Sequence, residues 1–199
     1  MKNRKSVLLY VALPVVALGF MMACGGDGAT RITPLVLAKT LSYANPTTSG
    51  YSLQVDPATN NTSHLVLNLV GPTGAKAQGL SFFLTCDPTA AVWSKGSGAI
   101  SYATAGTVFD LGTAPKAFVT KLNATTGDLQ VALYQKAGVA TFGAAPLVAL
   151  ALDFESVRLE PGDIVNLQAT PGKQSVFVNE NGVVQNFPVP IAVGMLVAH

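Results

Sequence analysis

Hydrophobic and polar positions alternate with a period of two along most of the chain beyond residue 35. Leu65, Leu67 and Leu69 alternate with Val66, Asn68 and Val70, and Leu80, Phe82, Leu84 and Cys86 with Ser81, Phe83 and Thr85. Leu129, Val131 and Leu133 alternate with Gln130, Ala132 and Tyr134. Val148, Leu150, Leu152 and Phe154 alternate with Ala149, Ala151, Asp153 and Glu155. This period sends one set of side chains to an inner face and the other outward, the pattern of half-buried strands. Further strands are predicted over residues 35–43, 51–55, 117–122, 164–170, 175–178 and 191–197. The breaks between them carry turn chemistry: Gly71-Pro72-Thr73-Gly74, Asp87-Pro88, Thr126-Gly127-Asp128, Glu160-Pro161-Gly162-Asp163, Pro171-Gly172-Lys173 and Asn179-Glu180-Asn181-Gly182. Gly supplies positive φ, Pro presets φ, and Asn or Asp bonds its own backbone. No stretch shows ten to twelve residues of helical periodicity, although the Ala-rich residues 137–145 allow a turn of helix. About ten strands without an internal repeat or interdomain linker predict one all-β domain, a two-sheet antiparallel β-sandwich.

Composition narrows the class. The 199 residues are 49% hydrophobic and 11% charged, with two Cys and two His, which excludes a disordered chain, a coiled coil and a disulfide-stapled mini-protein. The formal charge is +2, from 12 Lys and Arg against 10 Asp and Glu. Lys2, Arg4 and Lys5 all precede residue 24; without them 9 positive and 10 negative side chains remain. A net charge of −1 lacks the basic stripe with which a protein displaces counterions from phosphate, so nucleic acid is not expected as a partner. With so little charge, long-range steering is weak, and a partner is recognised by shape and local contacts.

The charged start is followed by an apolar run over residues 7–22, interrupted by Pro14 and Gly19. This is a secretory signal pattern, too short and too kinked for a stable span. The junction Met21-Met22-Ala23-Cys24-Gly25 resembles the bacterial lipobox, in which a small residue precedes an invariant Cys. Ala23 and Cys24 fit it, and Met21 stands where the family more often has Leu. The resemblance covers about the first 25 residues and implies cleavage between Ala23 and Cys24, with acyl chains on Cys24. Two or more chains make such an anchor effectively permanent. Gly25 follows the Cys where the inner-membrane retention signal of some bacteria has Asp, which implies the outer membrane. Residues 25–31 are Gly-rich and without apolar periodicity, a tether. The expected organisation is a signal peptide over 1–23, a lipidated Cys and tether over 24–34, and the sandwich over 35–199.

Within the body, Leu65-Val66-Leu67-Asn68-Leu69, a Gly-Pro turn, and Gly79-Leu80-Ser81-Phe82-Phe83-Leu84-Thr85-Cys86-Asp87-Pro88 follow one another in an order similar to cohesin and related carbohydrate-binding-module sandwiches. The segments Gly127-Asp128-Leu129-Gln130-Val131-Ala132-Leu133 and Pro146-Leu147-Val148-Ala149-Leu150-Ala151-Leu152-Asp153-Phe154 resemble the strands that close the same jelly-roll fold. Cys86 stands where that family usually has Tyr. The alternative is a generic immunoglobulin-like sandwich. The resemblance implies a binding module for a protein partner or for polysaccharide; fold alone does not decide which.

Signals for catalysis are scarce. There is no nucleophile elbow, no dinucleotide or P-loop string, no Cys-x-x-Cys and no His-Glu-x-x-His, so no enzyme activity, cofactor or metal is expected. His64 reads as an exposed strand-edge residue rather than a base, and His199 as a mobile last residue. Asp153, Glu155, Glu160 and Asp163 would suit calcium only if they converged; otherwise they line a solvated face. Asp56, Asn60 and Asn61 read as Asx-type turns. Cys86 shares a face with Leu80, Phe82 and Leu84 and is predicted to be a buried free thiol rather than a redox group. A polysaccharide surface needs exposed aromatic rings, and Trp93 and Tyr102 are the candidates; the competing reading for Trp93 is a side chain filling one end of the sandwich. The function expected from all this is a lipid-anchored, non-catalytic envelope module recognising a protein partner. Polysaccharide binding and a structural subunit of an envelope or extracellular assembly are the alternatives.

Overall fold

The computed structural model describes residues 34–96, 101–112, 117–135 and 137–199. The leader and the Ala23-Cys24 junction lie outside them. Among the described residues the first strands are β1 (Leu41–Ala44), β2 (Ser52–Val55), β3 (His64–Val70), β4 (Lys76–Ala77), β5 (Gly79–Cys86) and β6 (Ala91–Ser94). They continue with β7 (Ala103–Ala105), β8 (Phe118–Asn123), β9 (Asp128–Tyr134), β10 (Ala140–Thr141) and β11 (Val148–Phe154). The last are β12 (Ile164–Val165), β13 (Leu167–Ala169), β14 (Val176–Val178), β15 (Val184–Asn186) and β16 (Met195–Ala198).

Two sheets carry the architecture. The five-stranded sheet runs β2-β3-β11-β6, with β7 also on β11; the six-stranded sheet runs β15-β14-β5-β9-β8, with β13 also on β5. A three-stranded sheet, β1-β16-β12, adjoins the first through bridges from Leu41 to Thr62 and from Ser52 to Ala192. Every strand-to-strand pairing among the described residues is antiparallel, and the isolated Ser52–Ala192 bridge is parallel.

The alternation seen in the sequence sets the core. Leu65, Leu67 and Leu69 face Leu152, Leu150 and Val148 across the β3 and β11 ladder, and Leu80, Phe82 and Leu84 face Leu133, Val131 and Leu129 across β5 and β9. All twelve are buried. Fully burying a side chain of this kind contributes about 1.5–3 kcal/mol, so the inward parity of these four strands fixes the register.

The turn chemistry behaves as read. Gly74, Gly127, Gly162, Gly172 and Gly182 have positive φ, and the Ala75, Asp163, Lys173 and Gly182 N–H groups close turns on Pro72, Glu160, Thr170 and Asn179.

Four expectations need correction. The strand expected over 191–197 begins only at Met195 and runs to Ala198, with Ala192 making a single bridge to Ser52. The strand expected over 35–43 is ordered as a strand only from Leu41, because β16 offers pairing partners only from Ala198 back to Met195; Leu35 and Val36 stay exposed. The strand expected over 164–170 is two short ones, β12 and β13, which pair with different sheets. Residues 137–145 contain β10 and no helix, with Gly138 at φ +72°.

Candidate binding face

Along β5 and β9 the outward parity belongs to Ser81, Phe83 and Thr85 and to Asp128, Gln130, Ala132 and Tyr134. The pairings carry that parity across the whole sheet. One row reads Val119, Ala132, Ser81, Val176, Asn186; the next reads Tyr134, Gly79, Val178, Val184. Neither row holds a charged side chain. Val119, Tyr134 and Val184 are exposed, and together with Ala132, Val176 and Val178 they line a shallow trough of about 260 Å³.

Tyr134 is the exposed aromatic ring of this face, and its setting is specific. A Cβ on Gly79 would sit 2.5 Å from the Leu133 carbonyl and 2.9 Å from the Tyr134 Cα, so only glycine lets β9 and its Tyr lie this close. The Tyr134 hydroxyl donates to Gln78 Oε1 at 2.9 Å, and Gln78 Nε2 donates to the Glu180 carbonyl at 3.2 Å. The ring is thereby tied to the β14–β15 turn.

The other end of the same sheet is polar. Asn123, Asp128 and Thr85 share a row, followed by Gln168. Thr126 donates to Asp128 Oδ2 at 2.7 Å, Thr85 donates to Oδ1, and the Thr85 and Thr170 hydroxyls lie 2.8 Å apart. The Thr85 and then the Thr126 hydroxyl hold the Asp128 carboxyl below the usual carboxylate range, and nearby Lys173 adds to the effect.

Trp93 is a buried strut. It lies opposite Leu152 on the inner face of the five-stranded sheet and is 4% exposed. Its indole N–H donates to the Gly127 carbonyl at 2.8 Å, reaching the β8–β9 turn of the other sheet. The same carbonyl accepts from the Cys86 N–H at 3.2 Å. Gly127 has φ +70°, and a Cβ there would lie 1.8 Å from the Cys86 carbonyl. The reading of Trp93 as a ligand-face aromatic is therefore replaced by the sandwich-filling one. Cys86 is buried as predicted, and burial, followed by the Asp87 charge, pushes its thiol up to about 12. Tyr43 and Tyr51 are buried too, and burial raises both phenols to about 12.

Tyr102 and His64 lie on the outer face of the five-stranded sheet, and the other candidates lie in turns or at strand ends. Tyr102 is half-buried, with Lys95 Nζ 5.0 Å from its ring centroid. His64 stands directly opposite Asp153, their Nδ1 and Oδ1 atoms 2.5 Å apart. Asp153 is thus engaged away from Glu155, and Asp163 Oδ2 accepts from the Glu160 N–H at 2.8 Å. Among the described residues no three His, Cys, Asp or Glu side chains converge. Asp56 and Asn60 cap backbone, accepting from the Ala58 N–H at 3.0 Å and the Tyr43 N–H at 2.9 Å. His199, expected to be mobile, is paired both ways with Thr40.

The trough was missed in the sequence, yet a signal is present. Val119, Ala132, Tyr134, Val176 and Val178 are apolar or aromatic at the parity that strands with one wet face give to polar residues.

No protein-family model matches the chain, and no curated protein matches it. Among solved structures it is similar to the sixth cohesin of Acetivibrio cellulolyticus scaffoldin B, solved in complex with a Cel5 dockerin mutant. The TM-score is 0.51 at 15% identity, over 73% of this chain and 96% of that one. The third cohesin ScaC in complex with the ScaB dockerin, from the same organism, gives 0.48 at 14% identity, over 77% and 94%. A type II cohesin domain from the A. cellulolyticus cellulosome gives 0.45 at 13%, over 81% and 94%. The two-sheet architecture and the first of these likenesses agree: the chain folds as a cohesin-like β-sandwich.

Proposed function

We propose that this chain is a lipid-anchored, non-catalytic module of the bacterial envelope that holds a protein partner on the outer face of its six-stranded sheet. The observation that carries this reading is the uncharged trough of Val119, Ala132, Tyr134, Val176, Val178 and Val184, which crosses five strands and is about 19 Å wide at the usual strand spacing. Its occupant is a protein element, a helix or hairpin apolar along its centre, that meets the Ser81 hydroxyl inside the trough and the Gln130 and Asn186 amides at its rim. The cohesin of similar fold was itself solved with a protein, a dockerin, bound. A polysaccharide would need several exposed rings in one plane, whereas Trp93, Tyr43 and Tyr51 are buried, Phe83 is half-buried, and among the described residues of this face Tyr134 is the exposed ring. The anchor rests on the Ala23-Cys24 junction, and Gly25 after the Cys, in place of a retention Asp, favours the outer membrane.

A photo-crosslinking residue at Val119 is expected to trap one protein in cells of the native host, and the same residue at Thr104, on the opposite sheet, is expected to trap none. The trapped protein, purified, should lose at least about tenfold in affinity on Val184→Asp, roughly 1.4 kcal/mol, and nothing on Thr104→Asp. Trapping of a second copy of this chain, equal trapping at both positions, or binding to a glycan array that survives Val184→Asp would each overturn the partner assignment. Separately, Cys24→Ser is expected to abolish acyl labelling and membrane retention; retention of unlabelled wild-type protein would remove the anchor.

A further inference from the structure

A second apolar surface lies far from the trough. Leu35, Val36 and Leu37 are 66%, 67% and 36% exposed in succession, and Val157 is 76% exposed. Three consecutive exposed apolar residues do not follow strand parity, where every second one turns inward. The Ala38 N–H donates to the Leu159 carbonyl at 2.8 Å, which places residues 35–37 and the Val157 turn at the same end of the sandwich.

That end is identifiable strand by strand. The Glu155 N–H donates to the Ala90 carbonyl and the Asp87 N–H to the Asn166 carbonyl, so the Cys86 terminus of β5 belongs to it. Gly79, Tyr134 and Val178 lie at the opposite terminus. β5 has eight residues, and at about 3.4 Å each its termini are about 24 Å apart.

We infer that the end bearing Leu35, Val36, Leu37 and Val157 is a foot that rests on the lipid surface, leaving the apolar trough at the far end directed away from it. This rests on the anchored reading above. The occupant follows from the chain itself: ten residues separate Cys24 from Leu35, a reach of at most about 33 Å, and the first described side chains beyond that link are the exposed apolar ones. Holding the foot this close to the bilayer makes its contact effectively intramolecular, so a weak apolar contact suffices. Lys39 and Arg158 are outnumbered at this end by Asp87, Asp128, Glu155, Glu160 and Asp163. The contact therefore draws nothing from anionic headgroups, and on zwitterionic lipid its apolar character makes it insensitive to salt.

The test uses the full acylated chain in phosphatidylcholine vesicles containing spin-labelled lipid. An environment-sensitive fluorophore is placed on Val36→Cys or, in the far-end turn, on Thr73→Cys; Cys86 is buried and does not compete. Quenching several-fold stronger at position 36 than at 73, unchanged by salt, is expected. Leu35→Asp with Leu37→Asp should erase the difference without shifting the melting temperature. Acylated protein quenched equally at both positions overturns the foot and leaves the anchor standing. Absence of acyl label overturns the anchor and the foot with it, so the two failures are read separately.

Discussion

At the Cys86 end of the six-stranded sheet, the Trp93 indole is bonded to the Gly127 carbonyl from within, and on the outer face the Asp128 carboxylate accepts from Thr85 and Thr126. At the Gly79 end, Val119 and Val184 lie open to water, with half-buried Val178 between them, around one tied Tyr ring. The strands are the same and the inward alternation is the same. The difference lies in what the outward positions do. Where outward groups satisfy each other above a buried strut, that end is braced; where they are apolar, uncovered and contiguous, they offer a partner something to bury. Function in such a fold is read from outward residues that fail to be polar, since the inward ones report only packing.

Removing the brace has the largest expected effect. Trp93→Ala takes out a buried indole that spans both sheets and should cost about 3–5 kcal/mol in chemical denaturation. Trp93→Phe keeps most of the volume and drops the hydrogen bond, costing about 1 kcal/mol, because Gly127 still accepts from Cys86. If Trp93→Ala costs no more than a surface change, the brace is not what holds this end.

The same end should respond to alkali. The Cys86 thiol, pushed up by burial to about 12 from its ordinary 9.0, is favoured neutral in the folded state. Its contribution is complete below pH 9 and is lost as the pH rises towards 12, by at most about 1.4 kcal/mol per pH unit. Tyr43 and Tyr51 add the same sign above pH 10. Denaturant melts at pH 8 and 10 should show a steeper loss for the wild type than for Cys86→Ala, and equal slopes would contradict the burial. Maleimide should modify Cys86 only after denaturation.

At the open end the balance reverses. Tyr134→Ala removes an exposed ring and should cost less than about 1 kcal/mol of stability, while weakening the partner found by crosslinking at Val119 by about tenfold, as loss of an aromatic anchor does. A stability loss larger than the binding loss would make this ring part of the architecture.

The inner half of this comparison was legible in the sequence. The leucines of β3 and β11 and the alternating apolar residues of β5 and β9 announce their faces by period alone, and Gly127 and Gly182 announce their turns. Trp93 was ambiguous because its fate depends on a carbonyl 34 residues away in the other sheet. The trough was hidden for a related reason: Val119, Ala132, Ser81 and Val176 become one row only once β8, β9, β5 and β14 are ordered side by side, and that order is not chain order. Residues 35–40 read as a strand because apolar composition cannot say whether a partner strand extends far enough to pair with them.

The smallest effect should come from Asp128→Asn, and it tests whether the polar end is more than decoration. The carboxylate accepts from Thr85 and Thr126, which lowers its pKa. A lowered folded-state pKa means that its contribution is present above the unfolded carboxylate value and is lost as the pH falls through the folded one. The site lies at the sheet margin and is screened by water, so the amide should cost less than about 1 kcal/mol at neutral pH and progressively less as the pH falls through the lowered folded-state pKa. Melting curves of the two proteins should therefore converge on acidification. Partner affinity should be unchanged, since the trough is at the other end of the strands. A fall in affinity with Asp128→Asn would extend the binding face over the whole sheet and erase the distinction between its ends.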